Sequence, residues 1–207
     1  MPGSLAFLLA ICALWLHQQT TQACSCYPTH PQMKFCSSTI VVKVKVIKET
    51  KIPHPQDQRA LRNFVVKQIK MYRSIRKMEV KNVITPYSSA ACGITLKKDT
   101  QYLLGGSIDR QGRFIVGLCD LVLEWNSLSM PGRNHINHSY NKGCGCKIKW
   151  CHGFPCAVDS SKECLWTDLT YQVLDLACLP HWDGTCRWNR KWHSTKKSDN
   201  FQNAIEP

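Results

Sequence analysis

The stretch Cys24-Ser25-Cys26-Tyr27-Pro28-Thr29-His30-Pro31-Gln32-Met33-Lys34-Phe35-Cys36 sets three cysteines close together directly behind an apolar leader. Leu5 to Leu16 has the length of a signal-peptide core and is too short to cross a bilayer, and Thr21 and Ala23 are small residues at cleavage-site spacing. The pattern predicts cleavage after Ala23, with residues 1–23 removed. Cys24 then becomes the first residue, with a free α-amine. The cut also discards Cys12, so the 13 cysteines of the full chain lose their odd member and an even disulfide framework remains. Thr21-Gln22-Ala23-Cys24 lacks the Leu expected three residues before an acylated lipoprotein cysteine. A secreted, extracellular chain is the expectation.

Such cysteine density belongs to an oxidising compartment. On spacing alone, Cys24-x-Cys26, Cys144-x-Cys146 and Cys151-x4-Cys156 would suit zinc, but an oxidising route favours disulfides. His135-x-x-His138 also resembles a ligand pair, in a polar, turn-rich stretch where exposure is the simpler reading. The formal charge of +13 comes from 27 Lys and Arg against 14 acids. Acidic partners are therefore favoured over basic ones. No His-Glu-x-x-His, Gly-x-Ser-x-Gly or phosphate-cradling glycine loop is present, so no enzyme is indicated. No nucleic-acid motif or membrane span is indicated either.

Working outward, Ile40 to Ile47 alternates Val42, Val44 and Val46 with Lys43 and Lys45, the period of a half-buried strand. Phe64 to Tyr72 alternates less regularly, which suggests a bulge. Pro53, His54, Pro55, Gln56 and Asp57 would form an extended hairpin tip between them. Further strands are predicted at Gly93 to Leu96, Tyr102 to Ile108 and Arg113 to Leu118. Helix is predicted at Asp120 to Leu128, with a short helix opening at Phe35. Many short strands at this spacing point to a small barrel. Cysteines crowd after Gly143-Cys144-Gly145-Cys146, which marks a boundary there, so the expected parts are 24–144 and 145–207. The second part is too short to bury a self-sufficient core and would depend on disulfides. Charge is uneven: 24–144 is net +12 and 145–207 net +1.

The opening stretch resembles that of the tissue inhibitors of metalloproteinases, which begin their mature chains Cys-x-Cys-x-Pro-x-His-Pro-Gln. Lys67 to Tyr72, Cys92-Gly93, Gln101 to Leu104, Gly117-Leu118-Cys119, Gly143 to Cys146, Pro155-Cys156, Glu163 to Asp168 and Asp183 to Trp188 resemble later landmarks of that family, in order. The resemblance implies a mainly β chain with minor helix: an N-terminal five-stranded OB-fold barrel (netrin-like) followed by a small disulfide-rich β C-terminal domain. It also implies the pairs Cys24–Cys92, Cys26–Cys119, Cys36–Cys144, Cys146–Cys186, Cys151–Cys156 and Cys164–Cys178, a pairing that spacing alone leaves open.

By the same resemblance the chain would inhibit zinc metalloendopeptidases, matrix metalloproteinases among them. The α-amine and carbonyl of Cys24 would chelate the protease's catalytic zinc, and the chain would hold no cofactor of its own. Ser25 would enter the primed-side pocket, with Cys26, Tyr27 and Pro28 continuing along the cleft. Ser88, Ser89, Ala90 and Ala91 would fill the unprimed side. Tyr27 stands where the family carries a smaller residue, so its bulk is expected to narrow the range of proteases accepted. The Cys164 to Cys178 interval is shorter than the family's, and Lys196, Lys197, Ser198 and Asp199 make no acidic tail. Neither supports recruitment of proenzymes. The alternative from another class is a netrin-like module that binds heparan sulfate or another matrix polyanion through Lys43, Lys45, Lys67, Lys70, Arg73, Arg76 and Lys77, without inhibition. Asn137-His138-Ser139 is a glycosylation sequon.

Overall fold

A computed structural model describes residues 24–53, 60–153, 155–166 and 174–189. The predicted leader, most of the hairpin tip and the Lys196 to Asp199 tail lie outside them. Ten strands and two α-helices are defined among these residues. Strands β1 (Ile40–Ile52), β2 (Leu61–Ser74), β3 (Asn82–Pro86), β4 (Gln101–Ile108) and β5 (Phe114–Ile115) close into a ring in the order β1-β2-β3-β5-β4, and β1 pairs again with β4. β6 (Leu121–Glu124) adds to the free edge of β4. The only parallel contact in the ring is Ile84 opposite Ile115. This is the five-stranded ring of an OB-like barrel.

Alternation fills it. Ile40, Val42, Val44 and Val46 point inward with Phe64, Val66, Val83, Leu104 and Phe114. Val41 is also fully buried, on the outer face, where Phe35, Leu103, Leu121, Trp125, Ile136 and Tyr140 form a second core. Helices α1 (Pro31–Ser37) and α2 (Met130–His138) supply much of that cover. Both begin with proline near N1 and a side-chain cap: His30 Nδ1 accepts from Gln32 N at 3.1 Å, and Ser129 Oγ from Gly132 N at 3.0 Å.

The bulge expected in the second strand is present, twice over. The β1–β2 register leaves Ile69 and Tyr72 as extra residues on β2, and Ile47 as one on β1. Other expectations are corrected. Asp120 to Leu128 is not a helix: Leu121 to Glu124 pairs with β4, and a single 3-10 turn, Trp125–Ser127, follows. Gly93 to Leu96 forms no strand, and Arg113 to Leu118 contributes only Phe114–Ile115. The first helix opens at Pro31, one turn before Phe35. His135 is buried, not exposed, inside α2 and within 3.2 Å of Ser139 Oγ. Burial holds its pKa below the usual imidazole range, opposed by Asp175.

Past the barrel, two small sheets make the disulfide-rich domain: β7 (Lys147–Trp150) parallel to β8 (Glu163–Trp166), and β9 (Ala177–Pro180) antiparallel to β10 (Cys186–Asn189). Cys146–Cys186, Cys151–Cys156 and Cys164–Cys178 cross-link it. Its join to the barrel is centred on one buried polar side chain with its bonds made. Gln32 is fully buried; its Nε2 donates to Cys178 O at 2.7 Å and Gly143 O at 3.1 Å, and its Oε1 accepts from Cys178 N at 2.9 Å. An aromatic seam runs alongside, with the His30 ring between Tyr140, Trp166 and Trp188.

Candidate inhibitory edge

Residues 24–29 run without helix or strand pairing, alternately half-buried and exposed, toward the helix that begins at Pro31. Two disulfides fasten their start: Cys24 to Cys92 and Cys26 to Cys119. The two anchor points are themselves joined, because Leu118 N donates to Cys92 O at 2.8 Å. A third disulfide, Cys36–Cys144, fixes the end of α1. All twelve cysteines of the described residues are bonded, so no thiolate remains there to bind zinc. Ser25 and Tyr27 are exposed, and Cys24, Cys26 and Pro28 half-buried.

Beside this segment lies the loop after β3. Ser88, Ser89, Ala90 and Ala91 are all exposed. The loop is nonetheless tightly built. Ser88 Oγ accepts from Ala90 N at 3.2 Å, Cys92 N donates to Ser89 O at 3.0 Å, and Gly93 N donates to Ser88 O at 3.0 Å. Cys92 sits in the left-handed region at φ 62°, a conformation uncommon for a side chain with Cβ. Gly93 must be glycine, since a Cβ there would overlap the Pro86 carbonyl. That tight turn explains why the predicted strand at Gly93 to Leu96 does not form.

Arg62, which sequence reading missed, secures the loop from β2. Its guanidinium donates to Thr95 Oγ1 at 2.6 Å, lies 3.0 Å from Glu49 Oε1, and packs on the Tyr87 ring at 4.9 Å, with Lys51 over the same ring at 4.6 Å. Arg62→Ala is expected to destabilise the chain by about 1 to 3 kcal/mol. It should also speed amide exchange in 88–93 more than in the barrel strands; uniform exchange rates would count against this role.

The basic residues do not form the single cluster expected. Lys45 pairs with Asp99 at 3.2 Å. Arg73 Nε donates to Ser38 O at 3.1 Å, so that charge serves the fold. Lys67, Arg76 and Lys77 are exposed. Lys43 lies 4.1 Å from the Trp125 ring centroid, and its pKa is lowered by burial and then by Arg133 and Lys70. Arg133 therefore joins a patch from which sequence reading omitted it. Asn137, the sequon residue, lies half-buried in α2, its Oδ1 accepting from Lys70 Nζ and Tyr72 Oη, each at 2.9 Å. Burial pushes the Tyr72 pKa up to about 12, so this donor keeps its proton.

Residues 22–188 match the family model described as tissue inhibitor of metalloproteinase. The chain belongs to that family. Family members similar to it include metalloproteinase inhibitor 4 of Mus musculus, 37% identical over 99% of this chain and 96% of that protein. Metalloproteinase inhibitor 3 of Gallus gallus is 36% identical over the whole of both chains, and metalloproteinase inhibitor 3 of Xenopus laevis 38% identical over 86% of each. These relatives are named as inhibitors, not as enzymes, and the family membership places this chain among non-enzymes.

Proposed function

We propose that the chain is a secreted inhibitor of zinc metalloendopeptidases that acts through Cys24 once residues 1–23 are removed. The observation that supports this most is the tethering of Cys24 and Cys26 to Cys92 and Cys119, which holds the leading residues and the exposed Ser88–Ala91 loop as one fixed edge. A neutral α-amine and the carbonyl oxygen of the same residue close a five-membered chelate ring. Both can therefore fill the open position of a catalytic zinc and displace its activated water. Ser25, Cys26, Tyr27 and Pro28 continue along the primed side, and Ser88 to Ala91 cover the unprimed side. Prior fixation by two disulfides removes much of the ordering cost that a free peptide would meet. The barrel, 24–144, is the inhibitory part. Six disulfides suit an extracellular setting. No helix among the described residues is long and apolar enough to span a membrane.

The test is an inhibition assay of the mature chain against matrix metalloproteinases across pH. An α-amine with an ordinary pKa of about 7.7 to 8.0 must lose its proton to coordinate. Inhibition is expected at one-to-one stoichiometry, weakening by up to about tenfold per pH unit below that range. Failure to inhibit any zinc endopeptidase rejects the reading.

One observation favours matrix polyanions as additional partners. The β1–β2 register sets Lys43 opposite Lys70, like charges that destabilise a strand pair unless an anion lies nearby, whereas Lys45, opposite Lys67, already has Asp99. With Arg133 beside Lys43, the patch suits a sulfated chain such as heparan sulfate. The mature chain should elute from heparin at higher salt than a neutral control, and Lys43→Ala with Lys70→Ala should bring elution forward. Elution with the control rejects the site.

A further inference from the structure

Tyr27 is the one residue of the edge whose side chain is held by the disulfide-rich domain. Its ring is 65% exposed, yet it is not loose. The phenol oxygen lies 2.8 Å from His152 Nε2, and the ring meets Trp150 edge-on with centroids 5.4 Å apart. The Trp150 and His152 rings meet at a tilt with centroids 3.9 Å apart, and Cys151 between them in sequence is buried and bonded to Cys156. Three residues further on, His30 is buried among Trp166, Trp188 and Tyr140. The segment from 27 to 30 is thus gripped from the disulfide-rich side at both ends, 125 residues away in sequence at the first grip.

We infer that Trp150 and His152 are positioning residues that set protease selectivity by fixing where Tyr27 stands on the edge; this rests on the zinc-capping reading above. A tyrosine free to rotate would swing aside when a narrow cleft met it. One bonded to His152 and braced by Trp150 keeps its bulk beside the cleft-facing residues Ser25 and Cys26. Selectivity then depends on a domain that does not itself reach the zinc. The hydrogen bond and the edge-on ring pair are each weak at such exposure, which sets the size of the effect at a few-fold.

The experiment measures inhibition constants of the full mature chain against two matrix metalloproteinases, one with a narrow and one with a wide primed side. The variants are Tyr27→Ser, Tyr27→Phe, His152→Ala, His152→Gln, and Tyr27→Phe combined with His152→Ala. Tyr27→Ser removes the bulk and should broaden inhibition, lowering the narrow-to-wide ratio of constants. Tyr27→Phe and His152→Ala should each lower it by about threefold to tenfold toward the serine value. His152→Gln, which retains a hydrogen-bonding group, should stay near wild type. The double variant should move no further than either single one. A ratio unchanged in His152→Ala while the wild type inhibits, or strictly additive effects, overturns the inference and leaves zinc capping intact. A wild type that inhibits neither protease overturns both.

Discussion

Placing one alanine ahead of Cys24 is expected to reduce inhibition by more than about a hundredfold without altering the fold. The extension turns the primary amine into a peptide nitrogen, which is no longer a zinc ligand, and moves the new amine beyond chelating reach of the Cys24 carbonyl. Removing a mere outer-shell support of a metal ligand costs about 10- to 100-fold in affinity, so loss of the ligand itself should exceed that. Both disulfides of the edge and the Ser88–Ala91 loop remain in place. Melting temperature should therefore be unchanged, which separates this result from misfolding. An extended chain that inhibits as well as the mature one would place the inhibitory contact elsewhere.

Gln32→Leu should be the most damaging single change to stability away from the cysteines. Leucine approximates the volume but bonds to nothing, leaving Cys178 N–H and Cys178 O without their partner in a buried join, while the Gly143 carbonyl keeps its bond from Cys146 N. At about 1 to 3 kcal/mol for each of the two unpaired groups, the loss should total roughly 2 to 6 kcal/mol. For a chain of this size that is roughly 5 to 20 °C of melting temperature. The barrel core of Val42, Val44, Phe64 and Leu104 lies elsewhere and is untouched. Calorimetry should show the disulfide-rich domain melting ahead of the barrel. A single transition displaced by under about 1 kcal/mol would mean that the aromatic seam around His30, not Gln32, holds the two together.

Local pattern revealed what local physics decides. Val42, Val44 and Val46 announce β1 because every second residue faces one core, and the irregular run after Phe64 betrays its bulges. Leu121, Leu123, Trp125 and Leu128 fit both a helical stripe and an alternating strand. Pairing with β4, which no local window contains, decides for the strand. Within the site, the free amine of Cys24 was legible from the leader that precedes it, whereas Tyr27 and the Ser88–Ala91 loop were legible only through likeness to a family, since spacing cannot choose partners for twelve cysteines. Arg62 and His152 carried no signal, and Gln32 stood out only as the last residue of the opening motif, with nothing to show its structural part. Their partners lie 13 to 146 residues away, and a buried glutamine or a bridging arginine reads in sequence as an ordinary polar residue.

The three disulfides that anchor the leading segment close loops of 68, 93 and 108 residues, and each uses one of the earliest cysteines of the chain. On a secretory route these three thiols are made before Cys92, Cys119 and Cys144 exist. Until then every pairing available to them is a wrong one, so oxidation must wait for, or be corrected after, closure of the barrel. Protein disulfide isomerase supply, more than ribosome speed, should limit the yield of native material. Expression hosts with reducing interiors should deliver the chain reduced, unpaired and aggregated.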